Sequence, residues 1–170
     1  MVANLTIGKK KYADAEEAMR ELKRAAEQLR GELMALARRD SDAFDEVLRA
    51  RRMPQSTDAE RQDRDRAMAV AELEACRVPL ETARACARVV ALAEAAARQG
   101  NVNAASDAGV AGLLARAAGE GALLNVQINL KSLVPSADKQ DVTAQYESTR
   151  ADLHAAAERC SSAVESAMTA

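Results

Sequence analysis

Two aspartates and two asparagines interrupt apolar patterns in this 170-residue chain, and they are where its chemistry would sit. In the region 14–51, Met19, Leu22, Ala26, Leu29, Leu33 and Leu36 alternate steps of three and four, the signature of one helix face packed on neighbours. Extending the alternation lands on Asp40, then on Ala43 or Phe44, then on Val47. The spacing therefore predicts that Asp40 projects from the core-facing stripe, with Asp42 and Asp45 beside it. A second stripe runs Asp107, Val110, Leu114, Ala117, Gly121, Leu124 and Ile128, which predicts that Asp107 opens an inward face. Asn125 and Asn129 flank that stripe one turn apart, so both can point into one crevice. An inward carboxylate must be hydrogen-bonded, paired or set in a cleft, because leaving it buried and unpaired is costly. Two readings stay open for each acid. Asp107, behind Ser106, either faces a ligand or caps its helix; Asp40 either lines a cleft or pairs with Arg38 or Arg39 at the surface.

Other reactive residue types offer less. The cysteines Cys76, Cys86 and Cys160 form no C-x-x-C pair and sit among apolar residues, which reads as three small buried hydrophobes. His154 is the single histidine, flanks its helix stripe and has no Cys or His cluster around it, so no metal site is expected. Lys9, Lys10 and Lys11 follow Gly8 at a helix end; cations there suit the helix dipole or meet an anionic ligand. Gly109, Gly112, Gly119 and Gly121 each cost about 1 kcal/mol inside a helix relative to Ala, a cost offset by close approach of another helix or a flat ligand.

The elements that position these residues read as helix almost throughout. The first long helix spans 14–51. "RRMPQSTD" breaks it, with Ser56, Thr57 and Asp58 offering N-caps to a second spanning 59–99. Pro79 is expected to kink or divide that second helix near Arg77 and Val78. A third reaches about Leu133, and a fourth runs from Asp138 nearly to the end. The expected fold is all-α: one domain over residues 1–170, a bundle of long antiparallel helices kinked near Pro79. At 48% hydrophobic and 29% charged, the chain has the composition of a soluble globular protein. A net charge of −2 with mixed signs gives no reason to expect nucleic acid as a partner. No apolar run is long enough for a membrane span and no signal-peptide pattern opens the chain, so the cytoplasm is the expected location. "MVANLTIGKK" starts apolar at once with no N-cap, as if a helix had been entered midway.

Five motifs in order, "LTIGKKKY" (5–12), "DSDAF" (40–44), Pro79, "GNVNAASDAGVA" (100–111) and "NVQINL" (125–130), give the chain a resemblance to the cyclodeaminase/cyclohydrolase family. That family includes the C-terminal domain of formiminotransferase-cyclodeaminase and the free-standing serine-cycle methenyltetrahydrofolate cyclohydrolases. The resemblance implies an all-helical, homodimeric enzyme acting on a one-carbon unit carried by tetrahydrofolate, with no metal and no covalently bound cofactor. Such relatives carry an upstream helix with a "PTPGGGS"-like segment, so the first helix here is expected to be a truncated one. Forming the methenyl bridge by cyclodeamination, or opening it with water, moves protons near a cationic amidinium-like centre. A carboxylate in a semi-buried cleft serves both needs. The resemblance thus casts Asp107 or Asp40 as the acid/base, with the other orienting the pterin or stabilising its charge. Asn101, Ser106, Asn125 and Asn129 become substrate-binding residues, and Lys9, Lys10 and Lys11 meet the glutamate tail. The alternative is a truncated non-catalytic bundle that dimerises or partners a full-length copy.

Overall fold

A computed structural model describes residues 1–169. A short helix α1 (Val2–Thr6) and a 3-10 turn (Lys10–Ala15) lead into α2 (Glu16–Arg51) and α3 (Asp58–Gln99). A second 3-10 turn (Val102–Ala104) then precedes α4 (Ala105–Asn129) and α5 (Ala137–Thr169), and no strand occurs among the described residues. The expected helix boundaries shift by only a few residues. The third helix stops at Asn129, and Leu130 to Ser132 close it with turn hydrogen bonds. Thr57 caps α3 through a reciprocal pair of bonds with Glu60, which satisfies the orphan amides of the first turn. Glu16 and Glu17 open α2 and Arg49 and Arg51 close it, each complementing the helix dipole.

Helix α3 is the hub, in contact with α2, α4 and α5. Successive long helices run antiparallel, so α3 and α5 lie parallel. The cross-links Arg77 to Asp138 and Arg159 to Glu94 ascend both helices together. The main core lies between α3, α4 and α5, where Leu80, Val90, Leu123, Val126, Val142 and Leu153 are buried. Helix α2 packs on the other side of α3 through Leu29, Leu36 and Ala43 against Val78 and Ala85. Arg39 fastens the pair, bonding Glu74 at 2.9 Å and Glu81 at 2.5 Å.

The inward face of α4 differs from the one its large residues predict. Ala105, Ala108, Gly112, Ala115, Gly119, Ala122 and Val126 are buried, whereas Val110, Leu114, Leu124 and Ile128 are exposed. Small residues let α4 sit close in the cleft between α3 and α5. A Cβ at Gly112 would lie 2.7 Å from Cys160 Sγ, and one at Gly119 would lie 2.8 Å from Leu153 Cδ2. Helix approach, not a ligand, explains these two glycines.

Pro79 does not divide the second long helix. It lies inside an unbroken α3. Proline has no N–H to give the carbonyl four residues back, so Ala75 loses its helical partner. Asn129 supplies the replacement, donating from Nδ2 to the Ala75 oxygen at 2.7 Å.

Candidate functional site

A groove of about 550 Å³ runs between α2 and α4 over the surface of α3, a size suited to a small organic ligand. Leu22 and Ala26 of α2, Val89 and Leu92 of α3, and Val110 and Leu114 of α4 give it apolar walls. Its polar groups are few: Lys23, Glu27 and Arg30 from α2, Asn4 from α1, and Asp107 from the first turn of α4. Asp107 is half-buried and makes no side-chain hydrogen bond or ion pair among the described residues. It does not cap its helix, whose N-cap Ala104 has no side chain able to do so. A free carboxylate against apolar walls presents a negative charge that can stabilise a flat cation.

The remaining predicted residues divide between the two ends of the bundle. Asp40 is exposed rather than inward and forms no ion pair among the described residues; Arg39 beside it turns to α3 instead. Ten residues of α2 separate Asp40 from Arg30, the groove-lining residue of α2 nearest to it, roughly 15 Å of helix. Asn125 is exposed and Asn129 half-buried near the C-terminus of α4, the latter bonded to Ala75. One chain therefore does not bring Asp40, Asn125 and Asn129 to Asp107.

Asn101, Ser106 and the lysines stand at the Asp107 end. Ser106, Lys9, Lys10 and Lys11 are exposed and do not line the groove. Asn101 is engaged in a knot that joins α1 to the α3–α4 connection. Its backbone N–H donates to Thr6 Oγ1 at 2.8 Å, and Nδ2 donates to the Leu5 carbonyl at 3.1 Å. Its Oδ1 accepts from the Tyr12 hydroxyl at 3.2 Å and from the Asn103 N–H at 3.1 Å. Tyr12 in turn accepts from the Val102 N–H at 3.2 Å. Gly100 is required beside this knot, since a Cβ there would lie 2.5 Å from both the Ala96 carbonyl and Val2 Cγ1. Gly8, at φ 76, makes the turn into the lysines, and its N–H donates to Glu16 at 3.2 Å. The Glu16 carboxyl lies below its ordinary range because Arg20 and then Gly8 hydrogen-bond its charged form. Thr6 and Tyr12, which sequence reasoning passed over, are thus the residues that fix where the lysines stand. Their signal was position within the two motifs, not apolar spacing.

The three cysteines are buried and their thiols are pushed up by that burial, Cys76 to about 11, with Glu72 adding to the effect there. At pH 8 Cys76 should hold on the order of a hundredfold less thiolate than an ordinary thiol, so a chromogenic disulfide reagent should label it only after denaturation. The raised value also stabilises the fold fully below about pH 9.0, the ordinary thiol value. That contribution fades as pH rises through about 11, so a melting temperature flat across this range would contradict it.

No described helix is long and apolar enough to cross a membrane. Comparison with known proteins places the geometry in context. The sequence model described as formiminotransferase-cyclodeaminase matches residues 1–148. A methenyltetrahydrofolate cyclohydrolase from Methylorubrum extorquens is 40% identical over 98% of this chain and 80% of its own. A formimidoyltransferase-cyclodeaminase from Gallus gallus is 31% identical over 84% of this chain, which spans only 26% of that longer protein. The crystal structure of a formiminotetrahydrofolate cyclodeaminase from Thermotoga maritima superposes with a TM-score of 0.85 at 31% identity, covering 98% of this chain and 79% of the other.

Proposed function

Because the chain belongs to the formiminotransferase-cyclodeaminase family, we propose that it converts the one-carbon unit of a tetrahydrofolate derivative in the α2–α4 groove. Of the two family chemistries, hydrolysis of methenyltetrahydrofolate to formyltetrahydrofolate is the better supported, by the 40% identity to a cyclohydrolase over nearly the whole chain. The observation that carries the mechanism is the unpaired Asp107 carboxylate facing apolar walls. In this reaction water adds to the cationic methenyl carbon. Asp107 takes the proton that water loses and returns it to the ring nitrogen as the C–N bond breaks. The products are the formyl derivative and one released proton, and before the attack the same carboxylate stabilises the cation. Lys23 and Arg30 in the groove, together with Lys9, Lys10 and Lys11 at its end of the bundle, meet the anionic tail. Asp40, Asn125 and Asn129 reach the ligand only from a second copy. Residues 1–170 act as one domain, in a cytoplasmic homodimer, with no cofactor beyond the folate itself.

Purified protein is expected to accelerate the loss of methenyltetrahydrofolate absorbance above the spontaneous rate. Appearance of that absorbance from formimino-tetrahydrofolate would assign cyclodeamination instead. Silence in both assays would overturn the enzymatic reading and leave a non-catalytic partner subunit.

A further inference from the structure

Between α3 and α5 lies a second groove, of about 570 Å³, that shares no lining residue with the one between α2 and α4. Arg84 and Arg88 stand one turn apart on α3, and Ser148, Asp152 and Arg159 follow one another along one face of α5. The lining residues between them are alanines, among them Ala87 and Ala156, whose side chains are too short to fill the space. The first groove is walled by apolar groups; this one is walled by donors.

Arg84 is its centre. Nε donates to Thr149 Oγ1 at 3.3 Å and Nη2 donates to Gln145 Oε1 at 2.7 Å. Gln145 is held that way round because its own Nε2 donates to Asp141 at 2.7 Å. Both acceptors of Arg84 are neutral, so the guanidinium is fixed in place without being neutralised, and most of its N–H donors stay free. Thr149 supplies a separate sign. It is 3% exposed and lines the groove, and its hydroxyl accepts from Arg84 but donates to nothing among the described residues. A buried O–H without an acceptor is costly, and the groove is open to supply one. Further along, Glu94 is shared by Arg159 at 3.2 Å and Arg98 at 3.0 Å, so it neutralises only one of the two.

A planar guanidinium beside a free hydroxyl matches an oxyanion, and phosphate best, whose oxygens take several N–H and O–H donors at once. Asp152 specifies the rest of the ligand. It is exposed, lines the same groove one turn beyond Ser148, and has no cation paired to it among the described residues. A carboxylate there repels a bare anion but accepts a hydrogen bond from a ligand hydroxyl. We propose that the α3–α5 groove binds a phosphate monoester that carries hydroxyl groups, a sugar phosphate or a nucleotide. Arg84, Ser148 and Thr149 hold the phosphate, and Asp152 takes a hydroxyl.

Calorimetric titration of the full chain with ribose 5-phosphate, AMP, inorganic phosphate and triglutamate tests this without measuring turnover, so it fails or stands independently of the folate reading. Ribose 5-phosphate should bind, and Arg84→Gln should weaken it by about tenfold. Asp152→Ala should act with opposite signs, weakening ribose 5-phosphate and tightening inorganic phosphate, because the hydroxyl acceptor and the repelling charge leave together. A merely structural role for Asp152 would move both the same way. Asp152 is exposed, so this reversal stays readable even where Arg84→Gln loses its links to α5 and fails to fold. Asp107→Asn, in the other groove, should leave binding unchanged. AMP binding tighter than ribose 5-phosphate, with the gain lost in Arg159→Ala, identifies a nucleotide whose base lies on the alanine floor; equal affinity identifies a sugar phosphate. Absence of binding by either ester, insensitivity to both Arg84→Gln and Asp152→Ala, weakening by Asp107→Asn, or a preference for triglutamate over both esters would overturn the proposal.

Discussion

Asp107→Asn is expected to lower methenyltetrahydrofolate turnover by about 10²–10⁴-fold, the usual contribution of a positioned acid or base, while leaving the melting temperature nearly unchanged. The two halves of this expectation have separate causes. The amide keeps the size and polarity of the carboxylate, so it still fits its place in the groove wall. Asp107 makes no hydrogen bond or ion pair among the described residues, so no partner is left unsatisfied. Only its interaction with the helix N-terminus is lost from the fold, about 0.3–1 kcal/mol. The chemistry loses more, because the amide can neither accept the proton from water nor offset the cationic carbon. Steady-state kinetics beside a thermal melt would check it. Full turnover in the variant would move the acid/base role off this residue, and a collapse of the melt would make Asp107 a structural group.

The fold class was legible because every long segment has helical spacing, and Pro54, Thr57 and Gly100 punctuate it where the chain turns. The facing of α4 was not. That helix carries two stripes with the same three-and-four alternation, small residues from Ala105 to Val126 and large ones from Asp107 to Ile128. Size suggests that the large stripe faces inward. Close packing decided otherwise, since only Gly and Ala fit the narrow cleft between α3 and α5. A related effect misplaced Asp40. Helix α2 has one long neighbour, so its buried residues are confined to Met19, Leu29, Leu36, Ala43, Val47 and Ala50. The successive stripe members Leu22 and Ala26 line the groove, and Asp40 continues their side into solvent. Alternation reports that a helix has a face; it does not report how many neighbours cover it. Asn101 illustrates a third limit, because motif membership cannot separate a residue that touches ligand from one that holds the backbone around it.

The fate of Asn129 turns on a proline in another helix, and this makes a measurable coupling. Asn129→Ala removes the only side-chain donor among the described residues that reaches the Ala75 carbonyl, which Pro79 has already deprived of its backbone partner. A half-buried carbonyl left unsatisfied costs about 1–3 kcal/mol, and at this chain length each kcal/mol lowers the melting temperature by about 2–4 °C. Pro79→Ala restores an amide four residues beyond Ala75, so the carbonyl regains the bond that every other interior turn of α3 makes. In that background Asn129→Ala should cost far less, leaving a coupling of about 1–2 kcal/mol between two residues that lie 50 positions apart in sequence. Urea melts of the four proteins measure it. Additive effects would mean that Ala75 finds another donor when Asn129 is removed, and that the asparagine is free for the ligand after all. A strong coupling would assign Asn129 to holding α4 in register with the interrupted turn of α3. Its nearby amide Asn125, exposed and with no side-chain hydrogen bond among the described residues, would then be the one of the pair free to meet a substrate.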